Sequence, residues 1–118
     1  MFVIFGKDNA DKLGDSQTIL ELDTFLQEGM TEPLTTYVVL SMEEIPLQEI
    51  PQIENMKNLH GEMISGYKRG NFKFCLDALS HLKGKWSGSV DSFYDIFERR
   101  ITELSSTDTP PDWNGIIV

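Results

Sequence analysis

Glu21 and Asp23 are the residues whose types and spacing point most directly to chemistry. They occupy alternate positions in Thr18–Leu26, with Leu20, Leu22 and Leu26 between and around them. Two carboxylates on one strand face can hold a divalent cation such as magnesium, or share a proton. They are the candidate metal ligands of a small metal-dependent enzyme or regulatory domain. The same alternation also describes any half-buried strand with a solvated acidic face. Asp8, Asp11 and Asp15 cluster just upstream. Asn9, Asp11 and Gly14 match three positions of a calcium-binding loop, but Leu13 and Leu20 stand where oxygen ligands are needed, so no calcium site is expected. His60 and His81 lack a His-x-x-x-His or cysteine pairing, so no zinc site is expected and both are read as structural or surface residues. Cys75 falls at helical spacing with Leu79 and Leu82, which makes it a small core residue. A catalytic thiolate needs a neighbouring base and an exposed, electropositive setting. No catalytic residue is named on these grounds, and no cofactor is implied.

The remaining candidate chemistry is that of binding. Lys68, Arg69, Lys73, Lys83, Lys85 and Trp86 form a basic segment around one tryptophan, and are the candidate partner-binding residues. Tryptophan and arginine are enriched where binding energy concentrates. The chain of 118 residues has a net charge of -9, unevenly spread. Residues 1–66 hold 3 basic and 12 acidic residues, residues 67–100 hold 7 basic and 4 acidic, and residues 101–118 hold 3 acidic and no basic residues. The total argues against general nucleic-acid binding, which needs a positive footprint. The asymmetry offers the basic segment to an acidic protein partner, or to the acidic half of a second copy in a homodimer. One cysteine permits no intramolecular disulfide and fits a reducing, cytoplasmic setting. No apolar run approaches the ~20 residues of a membrane span, so no membrane partner is expected. The opening Met-Phe-Val-Ile-Phe-Gly reads as a strand, not a signal peptide.

The elements that would position these residues follow from periodicity. Phe2–Phe5 is an apolar run ending at Gly6, and reads as a first strand. Lys7–Ser16 reads as a polar loop. Thr18–Leu26 alternates as a half-buried strand, and Thr35–Leu40 is rich in β-branched and aromatic residues. A short turn with Gly29 and Pro33 joins these two, so an antiparallel hairpin is expected. Ser41–Pro51 is a bridge, with Pro51 suited to the first turn of the next helix. That helix carries Ile53, Met56, Leu59, Met63, Ile64 and Tyr67 on one face and ends at Gly70. Asn71 suits an N-cap for a second helix with Cys75, Ala78, Leu79 and Leu82 inward. Gly84–Gly88 breaks it, and a third helix presents Phe93, Ile96, Phe97, Ile101 and Leu104. The apolar end Ile116-Ile117-Val118 needs cover, as a strand on the sheet or a layer over the helices.

Two local resemblances accompany this reading. Gly70, Asn71, Phe72 and Cys75 resemble the turn of a tetratricopeptide-type helical hairpin, in which a glycine, a small polar residue and an aromatic precede a close helix crossing. The pattern occurs once, with Tyr67 one residue nearer the glycine than that family has it, so the resemblance implies a hairpin rather than a peptide-binding array. Glu98-Arg99-Arg100, Pro110-Pro111 and Asp112-Trp113-Asn114-Gly115 resemble the helical extension that follows some class III adenylate cyclase domains. That likeness covers roughly the last third of the chain. It implies a tryptophan tucked against its own helices, and no cyclase activity.

The expected fold is α+β: a small antiparallel sheet of N-terminal strands packed against two or three C-terminal helices, as one domain over 1–118. Within it, 1–40 is strand-rich, 51–105 helical, and 106–118 a tail packing back. The expected function is a non-enzymatic protein-interaction or assembly module.

Overall fold

The computed structural model describes residues 2–13, 17–26, 28–105, 113 and 115–117, and within them the fold is α+β. The strands are β1 (Phe2–Phe5), β2 (Gln17–Phe25), β3 (Leu34–Ser41) and β4 (Ile116–Ile117). The helices are α1 (Lys7–Asp11), α2 (Ile53–Lys68), α3 (Phe72–Leu82) and α4 (Asp91–Ser105). β2 and β3 form the expected antiparallel hairpin, and β1 pairs antiparallel with the far side of β3. β4 returns parallel to β2, giving the order β1-β3-β2-β4. The tail therefore takes the sheet-edge solution, covering β2 opposite Thr24 and Phe25. The stretch 106–112, with its two prolines, lies outside the described residues, as do residues 14–16.

Register explains which faces are buried. Residues directly opposite in an antiparallel pair share a face. Val3 is opposite Val38, which is opposite Leu20, and Leu40 is opposite Thr18. Leu20, Val38 and Leu40 form the sheet's share of the main core, against Met63, Leu79, Phe97 and Ile101 from the helices. Leu22, Leu59 and Phe93, which the sequence pattern sets on apolar faces, are only partly buried at its margin. Val39 is buried on the opposite face, the side of the sheet that Ile4 and Tyr37 share with it.

Several expectations on helices are corrected. The expected loop Lys7–Ser16 contains α1: Gly6, at φ 89°, turns the chain out of β1, and Asn9 bonds back to the Phe5 carbonyl at 2.8 Å. The bridge before α2 is two 3-10 turns, Met42–Glu44 and Leu47–Gln52, and Pro51 lies inside the second rather than in α2. Along α4 and the residue just before it, the inward stripe is Val90, Tyr94, Phe97 and Ile101, at i, i+4, i+7 and i+11, while Ile96 is 53% exposed. A tyrosine faces inward because its hydroxyl finds buried partners. Phe97 is held between Tyr67, edge-on at 4.6 Å, and Phe93, stacked at 5.2 Å.

The α2–α3 hairpin has the expected close crossing. A Cβ at Gly66 would stand 3.1 Å from the Phe74 ring and 3.5 Å from Cys75 Sγ. Gly70 takes the left-handed turn at φ 80°, and Asn71 Oδ1 accepts from the Phe74 amide as an N-cap. Trp113 is tucked against this hairpin: its indole donates to the Tyr67 carbonyl at 2.6 Å and meets Tyr67 and Phe72 edge-on.

Candidate functional site

The two carboxylates that opened the chemical reading are each taken by a cation. A β-bulge lies between Glu21 and Thr24, so the alternation that would align Glu21 with Asp23 is broken there. The Thr36 hydroxyl bridges the extra residue, accepting from the Asp23 amide at 3.2 Å and donating to its carbonyl at 3.1 Å. Glu21 Oε2 receives Lys68 Nζ at 2.7 Å. Asp23 is clasped by both Arg100 nitrogens, at 2.6 and 3.3 Å. Glu21 thus ties the end of α2 to the sheet, and Asp23 ties α4 to it. A metal at these carboxylates would have to displace a lysine or a guanidinium.

The basic segment is also redistributed. Its sequence allows an indole displayed to a partner or one folded onto the core; Trp86 is 0% exposed, which corrects the first reading and agrees with the second. Its amide donates to Glu49 Oε1 at 2.9 Å, and its indole to the Tyr94 hydroxyl at 3.1 Å. Lys68 is in its pair with Glu21, and Lys83 lies between Asp95 and Glu98. Arg69 and Lys73 are exposed at the α2–α3 turn, while Lys85 lies beyond the far end of α3. An 11-residue helix is about 16 Å long, so these cations do not form one patch. Lys85 and His81 line a shallow groove of ≈ 560 Å³ with Gln52 and Asn55.

His60 has a role that its sequence position did not specify. It is 1% exposed and sits in a directed chain of buried hydrogen bonds. Its Nε2 lies 2.6 Å from the Glu21 carbonyl and its Nδ1 3.1 Å from the Tyr94 hydroxyl. A carbonyl only accepts and an indole N–H only donates, which fixes the direction at both ends. Trp86 donates to Tyr94, Tyr94 donates to Nδ1, and Nε2 carries the proton that goes to Glu21. The imidazole must be neutral for this arrangement, and burial pushes its pKa below the ordinary value. Burial likewise raises the Tyr94 hydroxyl well above its ordinary range. The Glu21 carbonyl needs this partner. The Gly6 amide donates to Thr35 directly across the ladder, so odd residues of β3 bond β1 and even residues bond β2. Glu21 therefore turns its main-chain groups away from β3, and β4 pairs only from Thr24 onward.

Cys75 is fully buried, as the stripe predicts. Its Sγ donates to the Met63 carbonyl at 3.2 Å, and desolvation raises its pKa to about 11. Among the described residues no three His, Cys, Asp or Glu side chains group to hold a metal ion, and no helix is long and apolar enough to cross a membrane.

What the structure leaves open is the outer edge of β1. The same ladder alternation directs the main-chain groups of Phe2 and Ile4 to β3, and those of Val3 and Phe5 outward. The Phe5 carbonyl is already met by Asn9; among the described residues no backbone bond occupies the Val3 amide, the Val3 carbonyl or the Phe5 amide. The side chains of both residues point to the helix-covered face, yet Val3 is 48% and Phe5 57% exposed, because α2 packs on β2 and leaves this margin uncovered. Leu34, 36% exposed, adjoins them beside Gly6. Of five large hydrophobics that are exposed among the described residues, three are thus gathered at one sheet edge. The sequence pattern identified β1 as an apolar strand. It missed Asn9, whose spacing from Phe5 on a five-residue helix was the available signal. Comparison with known protein families, curated proteins and solved structures finds no match to this chain.

Proposed function

We propose that this protein is a non-catalytic interaction module that binds an extended strand along β1. The carrying observation is the β1 edge itself: outward main-chain groups at Val3 and Phe5, with exposed apolar side chains on the same two residues. Strand addition to a sheet edge draws affinity from main-chain bonds and specificity from alternate side chains. The groups that could have supported catalysis support this reading by their engagement elsewhere. Glu21 and Asp23 neutralise cations, His60 closes a buried chain, and Cys75 is a high-pKa core thiol. A single buried thiol suits a reducing, cytoplasmic setting.

Peptide display tests the reading with no partner in hand. Random extended peptides selected on the immobilised protein are expected to be enriched in β-branched and aromatic residues, and to lose binding to Phe5→Lys. Enrichment that ignores Phe5→Lys, or no enrichment, would remove the β1 edge as the site. The alternative of a metal-dependent domain rests on Glu21 and Asp23. A rise of several degrees in melting temperature with magnesium or manganese, abolished by Glu21→Gln, would favour it instead.

A further inference from the structure

The pattern of outward groups on β1 is symmetric about Ile4, and we infer from this that the strand received at the edge is β1 of a second copy. The inference rests on the strand-binding reading above. Val3 and Phe5 are the residues whose amides and carbonyls point outward, and Ile4 lies midway between them. Placing two β1 strands antiparallel with Ile4 opposite Ile4 sets Val3 of each copy against Phe5 of the other. Each such pair exchanges both N–H···O=C bonds, so one two-fold axis satisfies all the outward groups. A one-residue slip would present non-bonding residues to bonding ones, so the register is specified.

Side chains and charge agree with this pairing. Val3 and Phe5 lie on the helix-covered face beside Val38. A two-fold axis perpendicular to the sheet keeps both helical layers on one side. The four exposed side chains, two from each copy, would then meet in the gap between those layers. The total charge of -9 disfavours indiscriminate self-association, but this edge is a neutral place in the molecule. β1 carries no charged residue, and the following Lys7, Asp8, Asp11 and Lys12 balance. Asn9 regulates the contact: its amide occupies the Phe5 carbonyl at 2.8 Å, a bond the second copy must displace. In the isolated chain that bond blunts an otherwise open edge.

Sedimentation and cross-linking of the full chain test the inference together. The parent is expected to show a monomer–dimer equilibrium at micromolar concentration. Phe5→Lys, an exposed position that does not threaten folding, should weaken the dimer at least about tenfold, because two ammonium groups enter an apolar contact. Asn9→Ala should tighten it, since the competing bond is gone. Ile4→Cys should cross-link under mild oxidation. Directly opposed non-bonded residues stand about 4.5 Å apart at Cα, within disulfide range. Leu47→Cys, 83% exposed on another element, should not. A parent that stays monomeric at high micromolar concentration, or a dimer that ignores Phe5→Lys or fails to cross-link at Ile4, overturns the self-pairing. If the protein is monomeric yet still captures strand peptides in a Phe5-dependent way, the interaction module stands and its partner is another chain. If neither occurs, both fall.

Discussion

At the scale of single residues, the buried chain Trp86–Tyr94–His60–Glu21 is the arrangement with the largest consequences. It joins the 3-10 turn at Trp86–Gly88, α4, α2 and β2 through three hydrogen bonds. It also holds a strained turn, because Trp86 and Ser87 are both left-handed at φ 57° without being glycine. Tyr94→Phe keeps the ring and removes only the hydroxyl. It leaves the indole N–H and Nδ1 of His60 both unpartnered, at about 1–3 kcal/mol for each. Urea denaturation should show a loss of that size with an unchanged slope. A change below ~0.5 kcal/mol would mean that water replaces the hydroxyl. His60 also sets a pH dependence. Its folded pKa lies below the ordinary 6.5, so between those two values the unfolded chain binds more protons. The stability that depends on neutral His60 is fully present above pH ~6.5 and drains as pH falls toward the folded value. Stability compared at about pH 7 and about pH 5.5 should fall for the parent and fall less for His60→Gln. Equal slopes would show that other groups carry the acid sensitivity.

At the scale of elements, the docking of β4 depends on one glycine. Gly115 sits at φ 79°, and a Cβ there would lie 2.9 Å from Lys68 Cγ and 3.2 Å from Lys68 Cα. The tail can only pass α2 this closely without a side chain. Gly115→Ala therefore meets both a steric barrier and an unfavourable backbone region, and should undock the tail rather than shift it. The Trp113 indole would leave the Tyr67 carbonyl, and its emission should move to longer wavelength. Hydrogen exchange at the β2 amides that face β4 should accelerate in the same variant. Emission and exchange both at parental values would mean that α2 yields at Lys68 instead. The Lys68–Glu21 and Arg100–Asp23 pairs hold the helices at the same margin of the sheet, one from α2 and one from α4.

At the scale of the whole molecule, the sheet treats its two edges differently. β4 covers the Thr24–Phe25 end of β2, while among the described residues β1 has one side-chain bond, from Asn9, as protection. A chain cut after Ser105 would lose both β4 and the Trp113 indole. Trp113 is half-buried, so its loss should cost about 2 kcal/mol, roughly half the figure for a fully buried large aromatic. The same cut would open the Thr24–Phe25 end of β2 as well. Light scattering is expected to climb past the level of a dimer with concentration for the truncated chain, and to level off at or below it for the parent. Truncation without aggregation would show that the bulge at Glu21 already twists that edge out of reach.

Local pattern determined much of this protein from its sequence. Hydrophobic alternation located β2, β-branched and aromatic content located β3, the helical stripes located α2, α3 and α4, and Gly70 with Asn71 marked the hairpin turn; these signals are carried by neighbours within a few residues. The fates of the chemically suggestive residues were decided only by tertiary structure. Alternation placed Glu21 and Asp23 on one face, but a bulge separated them and cations 47 and 77 residues away took them. The indole of Trp86 sits in a basic turn by sequence and in the core by structure, because its N–H meets a hydroxyl on α4 that no local pattern reveals. On α4 the stripe included Ile96 and passed over Tyr94, since periodicity weighs hydrophobicity and not the partners a buried hydroxyl can find. The direction of each outward amide on β1 depends on the register with β3, a pairing between segments more than thirty residues apart, and only the assembled sheet decides it.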